Sequence, residues 1–175
     1  MSYYVFIVDN EINGKGQCPC TADNLECIEI SKEVYNNLEQ YIWNGTEIII
    51  NPNYDNILLE QAKVDKIALN DSLRDTALLS GVEYQNVLFD SDTDQKVNLL
   101  ATVNMMSDTD TITWYGMDNQ GLLCTKSDLM AIGGLITELH SYCWGMNAYI
   151  KEQINNAQTM AELDRIEISY DRYDT

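Results

Sequence analysis

The strongest pattern of apolar positions predicts a long amphipathic helix in the C-terminal half. Between Asp128 and about Asn155, apolar residues recur at alternating steps of three and four: Leu129, Ile132, Ile136, Leu139, Cys143, Met146 and Ile150. A second row of Leu135, Tyr142 and Tyr149 widens this face, which is typical of a helix packed on a globular core. Ser127 is the expected N-cap of this helix.

A second helical pattern, with a thinner apolar stripe, covers residues 54–80. Lys66 interrupts the stripe, and Gly81 is the expected C-terminal cap. The stripe consists of Leu59, Ala62, Leu69, Leu73 and Thr76. Because so few apolar residues cannot fold a helix alone, we interpret this segment as a spacer and as the oligomerisation element of a homo-oligomer.

The residues before this helix predict a small ββαβ module over 1–53, which Pro52 ends. Asn13-Gly14 indicates a turn. The expected strands are 3–8, 25–30 and 47–50, and the expected helix follows its N-cap Ser31 and closes at Asn44-Gly45.

The remainder predicts a module of strands and helices over 82–175. The Gly133-Gly134 pair inside the long helix indicates a close backbone approach. In chain order we expect a strand at 82–89, a helix capped by Ser91 or Thr93, a hairpin of strands 111–115 and 122–125, the long helix, a helical turn at 159–163 and an edge strand at 166–170. The fold class is therefore α+β in three parts: a module over 1–53, a spacer over 54–81 and a module over 82–175.

Charge narrows the classes of partner. The 175 residues contain 28 acidic and 10 basic side chains, for a formal charge of −18, which repels nucleic acid and anionic membranes. We favour a well-solvated surface over a lure for a basic partner. The start MSYYVFIVDN has no signal-peptide pattern, so the protein is expected to stay in the cytosol unless it leaves inside an assembly.

No residue pattern predicts a cofactor, a metal site or a catalytic centre. The odd number of cysteines, five, favours reduced thiols; Cys18, Cys20 and Cys27 with a further ligand such as His140 leave a zinc site open as the less favoured alternative. The other two weak patterns are a calcium-like run at Asp90, Asp92 and Asp94, which fails at Gln95 and Ala101, and a helical pair of His140 and Cys143. We interpret the first as helix capping and the second as core packing.

Aromatic residues offer one further binding chemistry. Trp43, Trp114 and Trp144, with eleven tyrosines, are numerous enough to stack on a host surface glycan. Core packing or a subunit interface is the favoured interpretation of the same residues.

One series of motifs carries a family resemblance. In order, it comprises VLFDSD at 87–92, QKVNLLA at 95–101, ITW at 112–114, Asp128-Leu129 and AQTMAEL at 157–163. This series resembles a domain of unknown function that recurs in tailed-bacteriophage tail and tail-fibre proteins. The module containing YIWNG at 41–45 and INPNY at 50–54 is similar to small leading modules of tail-associated proteins.

The resemblance implies a non-enzymatic structural component of a phage or phage-like tail. Its implied partners are other tail proteins of a fibre or baseplate, and its implied location is the virion tail. It transfers no catalytic residue. Two alternatives are a tail-fibre assembly chaperone and an acidic decoy or inhibitor that binds a basic partner.

Overall fold

The computed structural model describes residues 1–19 and 25–171 and divides the chain into two compact units, Met1–Glu60 and Gln61–Thr175. Helix accounts for 49% of the chain and strand for 23%, with all sheets small and antiparallel, so the α+β prediction is confirmed. The division falls inside the helix that we expected to be a spacer, since residues 61–78 of that helix belong to the second unit.

The first unit contains a three-stranded antiparallel sheet, a short helix and a hairpin. Its elements are β1 (Tyr3–Val8), β2 (Glu11–Gly16), β3 (Glu26–Ile30), α1 (Lys32–Asn36), a 3-10 turn (Leu38–Gln40), β4 (Tyr41–Trp43) and β5 (Ile48–Ile50). The sheet order is β2-β1-β3, and β4 pairs with β5. The structure therefore adds two strands to the expected ββαβ arrangement.

The first added strand, β2, follows a turn that the sequence analysis placed wrongly. Asp9 and Asn10 have φ of 50° and 67°, the left-handed pair of a tight hairpin turn, whereas Asn13-Gly14 lies within β2. A Cβ on Gly16 would meet Phe6 Cζ at 2.8 Å, so this glycine is needed for packing of the strand.

The second added strand, β4, replaces the end of the predicted helix. Ser31 does cap α1, accepting a hydrogen bond from the Val34 amide at 3.2 Å, but α1 ends at Asn36. The aromatic and β-branched residues Tyr41–Trp43 pair instead with Ile48–Ile50.

In its described residues, the second unit contains four helices and two hairpins. Its elements are α2 (Tyr54–Leu78, which begins in the first unit), β6 (Val82–Tyr84), β7 (Val87–Phe89), α3 (Thr93–Met105), β8 (Thr111–Tyr115), β9 (Gly121–Thr125), α4 (Lys126–Asn156) and α5 (Met160–Asp164). Gly81, with φ of 83°, follows α2 as predicted. The predicted strand 82–89 is a hairpin, because Gln85 and Asn86 both have positive φ.

The long helix α4 supplies most of the core. Its residues Leu129, Ile132, Ile136, Leu139, Cys143 and Ile150 are buried, while Met146 is only half-buried. Those from Leu129 to Cys143 form one cluster with Val82, Val87, Phe89, Leu99 and Cys124. The predicted apolar row of α4 is therefore the face of the helix that points into the core.

Both predicted N-caps in the second unit were wrong. The cap of α4 is Thr125, whose side chain and that of Asp128 form a reciprocal capping box, and Ser127 lies inside the helix. The cap of α3 is Asp92, which accepts from the Gln95 amide at 2.7 Å, rather than Ser91 or Thr93.

Two other expectations are corrected. A Cβ on Gly133 would meet the Leu99 side chain at 3.1 Å and one on Gly134 would meet nothing within 4 Å, so among the described residues a side chain, and not a neighbouring backbone, lies within 4 Å of these positions. Residues 166–170 do not form an edge strand, because their backbone is not paired with any described strand.

Candidate functional site

The zinc site that the sequence analysis left open is not formed by the residues that the structure describes. Cys18 is exposed and Cys27 is half-buried, both as free thiols, and Cys20 lies outside the described residues. Over residues 1–19 and 25–171, no group of three or more His, Cys, Asp or Glu side chains is arranged to hold a metal ion.

His140 and Cys143 do not form a reactive pair. Cys143 is fully buried in the core, where a thiol acts as a small apolar side chain. Nε2 of His140 lies 2.8 Å from the Ser91 carbonyl oxygen. Since a carbonyl only accepts, Nε2 carries the proton and joins α4 to the start of α3.

The three tryptophans have separate environments and different partners. Nε1 of Trp43 donates to Asn10 Oδ1 at 3.1 Å, and Nε1 of Trp114 is buried with no protein partner. Trp144 is 53% exposed and stacks against the Arg74 guanidinium, 4.2 Å from the ring centroid. A glycan-stacking surface remains a prediction.

The most distinctive site is a buried polar contact between α2 and α4, which we name the α2–α4 seam. It comprises Asn70, Asp71 and Arg74 of α2, Asn147 and Lys151 of α4, and Tyr170 of the C-terminal segment. Asn70 is fully buried and Asn147 is 3% exposed. Helix α2 therefore packs on α4 through polar residues, although the sequence suggested an apolar stripe.

Hydrogen bonds satisfy the buried amides of the seam. Asn70 Nδ2 donates to the Asn147 carbonyl oxygen at 3.2 Å, and Asn147 Nδ2 donates to Asp71 Oδ1 at 3.0 Å. The Tyr170 hydroxyl donates to Asn70 Oδ1 at 2.6 Å. Because buried amides cost stability unless they are paired, this network specifies one register between the two helices.

Charges reinforce the same contact. Asp71 accepts from Lys151 Nζ at 2.7 Å and from Arg74 at 2.9 Å. The hydrogen bond from Lys151 holds the pKa of Asp71 below its ordinary value, and the bond to Asp75 raises the pKa of Arg74. Burial raises the pKa of Tyr170, so this phenol stays protonated as a donor.

Two further lysines of α2 bind the carbonyl ends of other helices. Lys63 Nζ donates to the Asn155 carbonyl oxygen at 3.3 Å, in the last turn of α4, and Lys66 Nζ donates to that of Leu163 at 2.6 Å, in α5. These cations meet the negative ends of the helix dipoles. They also explain why Lys66 interrupts the apolar row: it points inward.

While lysines of α2 point inward, several apolar residues of the same helix point outward. Leu69 is 53% exposed and Leu73 is 36% exposed, Thr76 is exposed and Ala62 is half-buried. We name these four residues the α2 outer row. Leu59, the other predicted member, is buried at 7% exposure.

Sequence periodicity found the outer row but not the seam. An apolar row of α2 was predicted, yet periodicity could not decide whether it faces a core or solvent. Buried Asn70 and Asn147 give no apolar signal, and the only indication was the thinness of the stripe on a long helix.

The geometry defines an α+β protein with a polar seam between α2 and α4 and with exposed apolar residues on α2. Residues 61–169 match a family described as Domain of unknown function (DUF4376), and the chain belongs to this family. No curated protein and no solved structure matches the chain. None of the described helices is long and apolar enough to cross a membrane.

Proposed function

We propose that the protein is a non-enzymatic structural component of a phage or phage-like tail, associated with the fibre or baseplate and assembled through the α2 outer row. The motif order described above supports the tail assignment by resemblance. The observation that carries the interaction role is the inverted polarity of the middle of α2, where Lys63 and Asn70 are buried while Leu69 and Leu73 are exposed.

This inversion favours a covered outer row in the assembled state. A soluble helix normally places its apolar face inward, so exposed leucines beside a polar seam cost solubility unless another chain covers them. Each fully buried leucine is worth about 1.5–3 kcal/mol, so a few residues on each of two chains stabilise an association. A homo-oligomer through these rows is the simplest assembly.

The test replaces the two exposed leucines with Asp. Leu69→Asp with Leu73→Asp places carboxylates on the proposed interface while leaving the seam intact, so the native mass is expected to fall to that of a monomer. Val97→Asp with Leu100→Asp, on the exposed face of α3, is the matched control and leaves the mass unchanged. An unchanged mass in the first variant, with wild-type circular dichroism, would contradict the interface.

An acidic decoy that binds a basic partner is the second candidate. It is favoured by the use of cations inside the protein: Lys63, Lys66, Arg74 and Lys151 all bind groups of their own chain, which leaves a surface of mainly carboxylates. This function predicts partner affinity that falls steeply with salt, and flat salt dependence would exclude it.

A further inference from the structure

The segment after α5 has the side-chain pattern of a strand although no strand pairs with it. We name residues 165–171 the strap. Ile166, Ile168 and Tyr170 are half-buried, whereas the alternate residues Arg165, Glu167, Ser169 and Asp171 are exposed. This period of two is that of a strand with one face on a core.

Side chains hold the strap in place. The Tyr170 hydroxyl is bonded to Asn70 in the seam, and the Tyr142 hydroxyl donates to the Asp171 carbonyl oxygen at 2.8 Å. Tyr170 also packs against the hydrophobic core of this unit. These contacts within the chain hold the strap in place, and such pre-organisation lowers the entropic cost of pairing.

The backbone of the strap is largely unpaired. Within the described chain, the amides of residues 167–170 and the carbonyls of residues 166–170 have no hydrogen-bond partner. The satisfied groups lie at the two ends of the strap: the Arg165 and Ile166 amides are bound to the Leu163 carbonyl, the Asp171 amide to Ser169 Oγ, and the Asp171 carbonyl to the Tyr142 hydroxyl. A segment with the side-chain period of a strand and with unpaired amides and carbonyls is a template for pairing with a β-strand.

A groove lies beside the strap. Its volume is about 460 Å³. Leu73 and Ala77 of α2 and Leu139 of α4 supply apolar lining, Thr76 and Ser80 supply hydroxyls, and strap residues 168–171 form the opposite side. The groove thus offers apolar contacts for alternate side chains next to an unpaired backbone.

We propose that the strap pairs with a β-strand segment of a partner protein lying in this groove. The charges of the strap specify its chemistry: apolar residues at alternate positions enter the groove, and basic residues four apart lie opposite Glu167 and Asp171. A second copy of this chain, with its formal charge of −18, is disfavoured as the source. This inference does not depend on the tail assignment. Leu73 and Thr76 belong both to this groove and to the α2 outer row, so a paired strand and a second outer row exclude each other here, and peptide binding is measured at protein concentrations at which the native mass is that of a monomer.

The test uses the full chain and a fluorescent synthetic peptide in which valine alternates with serine and with lysines placed four apart. Fluorescence anisotropy measures affinity, and hydrogen exchange measures protection of the amides of residues 167–170. We expect saturable binding and slower exchange at a subset of these amides, since a strand pairs along one edge. No binding, or binding without protection in the strap, overturns the proposal.

Two N-methylated peptides separate backbone pairing from simple adhesion. Each carries N-methyl groups on one of the two alternating sets of residues, so the side chains are unchanged and only one edge of the peptide is blocked. One peptide is expected to lose at least tenfold in affinity and the other to retain it. Equal affinities overturn strand pairing.

A charge-matched pair of variants tests the recognition of lysine. Glu167→Gln with Asp171→Asn is expected to weaken peptide binding roughly threefold to tenfold, as expected for two cross-strand charge pairs. Glu152→Gln with Asp164→Asn makes the same change of charge at exposed sites outside the groove and leaves affinity within twofold. Equal weakening in the two double variants overturns the proposed charge recognition.

Discussion

Tyr170 shows how one side chain joins three parts of the second unit. Its hydroxyl is bonded to Asn70 Oδ1 and lies 3.2 Å from Asn147 Nδ2, so it completes the seam from the strap. Tyr170→Phe removes only this hydroxyl and leaves buried amides with fewer partners. The free energy of unfolding is expected to fall by about 1–3 kcal/mol. Urea denaturation measures this free energy. The matched control is Tyr149→Phe, because Tyr149 is 57% exposed and loses no buried hydrogen bond.

Thr125 and Ser127 provide a direct contrast between the structure and the sequence pattern. Thr125 closes the capping box with Asp128, while Ser127 is exposed within α4. Thr125→Ala is expected to cost about 0.5–2 kcal/mol of stability because a cap is lost, and Ser127→Ala to cost almost nothing. Thermal denaturation of the two variants decides between the caps. A larger loss in Ser127→Ala would contradict the capping box.

Asp71 gives the seam a pH dependence with a defined sign. Its folded pKa lies below the ordinary value of 3.8, so its stabilisation is complete above that pH and is lost as pH falls through the lowered pKa. Asp71→Asn removes this titration. The variant is expected to be less stable than wild type at neutral pH and to lose less stability between about pH 6 and pH 2.5. Urea midpoints at both pH values measure the difference; parallel losses would contradict the role of Asp71.

At the scale of elements, the sequence predicts helices better than turns. The apolar face of α4 and the extent of α2 follow from long periodic patterns. Two of the three missed hairpins, β1–β2 and β6–β7, depend on pairs of non-glycine residues with positive φ, Asp9-Asn10 and Gln85-Asn86, which carry weaker turn signals than Asn13-Gly14. The same holds for the candidate site. The apolar row of α2 could be predicted because it is periodic, whereas the α2–α4 seam could not, because its polar residues are paired with residues distant in sequence that no local pattern indicates.

The glycines at the ends and middle of the helices differ in what they permit. Gly134 lies inside α4 with open space around its Cα, so Gly134→Ala is expected to stabilise the protein by up to about 1 kcal/mol through helix propensity. Gly81 has positive φ, and a Cβ there would lie 2.8 Å from the Phe89 carbonyl oxygen, so Gly81→Ala is expected to destabilise it. Melting temperatures of both variants check these opposite signs. A lower melting temperature for Gly134→Ala would contradict the prediction that a Cβ at this position meets open space.

At the scale of the whole molecule, both the distribution of charge and the exposed apolar residues favour association with another protein. Much of the positive charge of the second unit is turned inward onto Asp71 and helix carbonyl groups, and the exposed surface combines carboxylates with the α2 outer row. Such a surface stays soluble through its charge and associates through a small apolar area. The proposed structural role in a tail depends on this second property.

The measurement that tests the central proposal most directly is the native mass of the purified protein together with its amount in isolated phage particles by peptide mass spectrometry. The account predicts an oligomer in solution and a fixed stoichiometry in particles, both of which Leu69→Asp with Leu73→Asp abolishes. A monomer that is absent from particles would contradict a structural role and would favour the assembly chaperone or the acidic decoy.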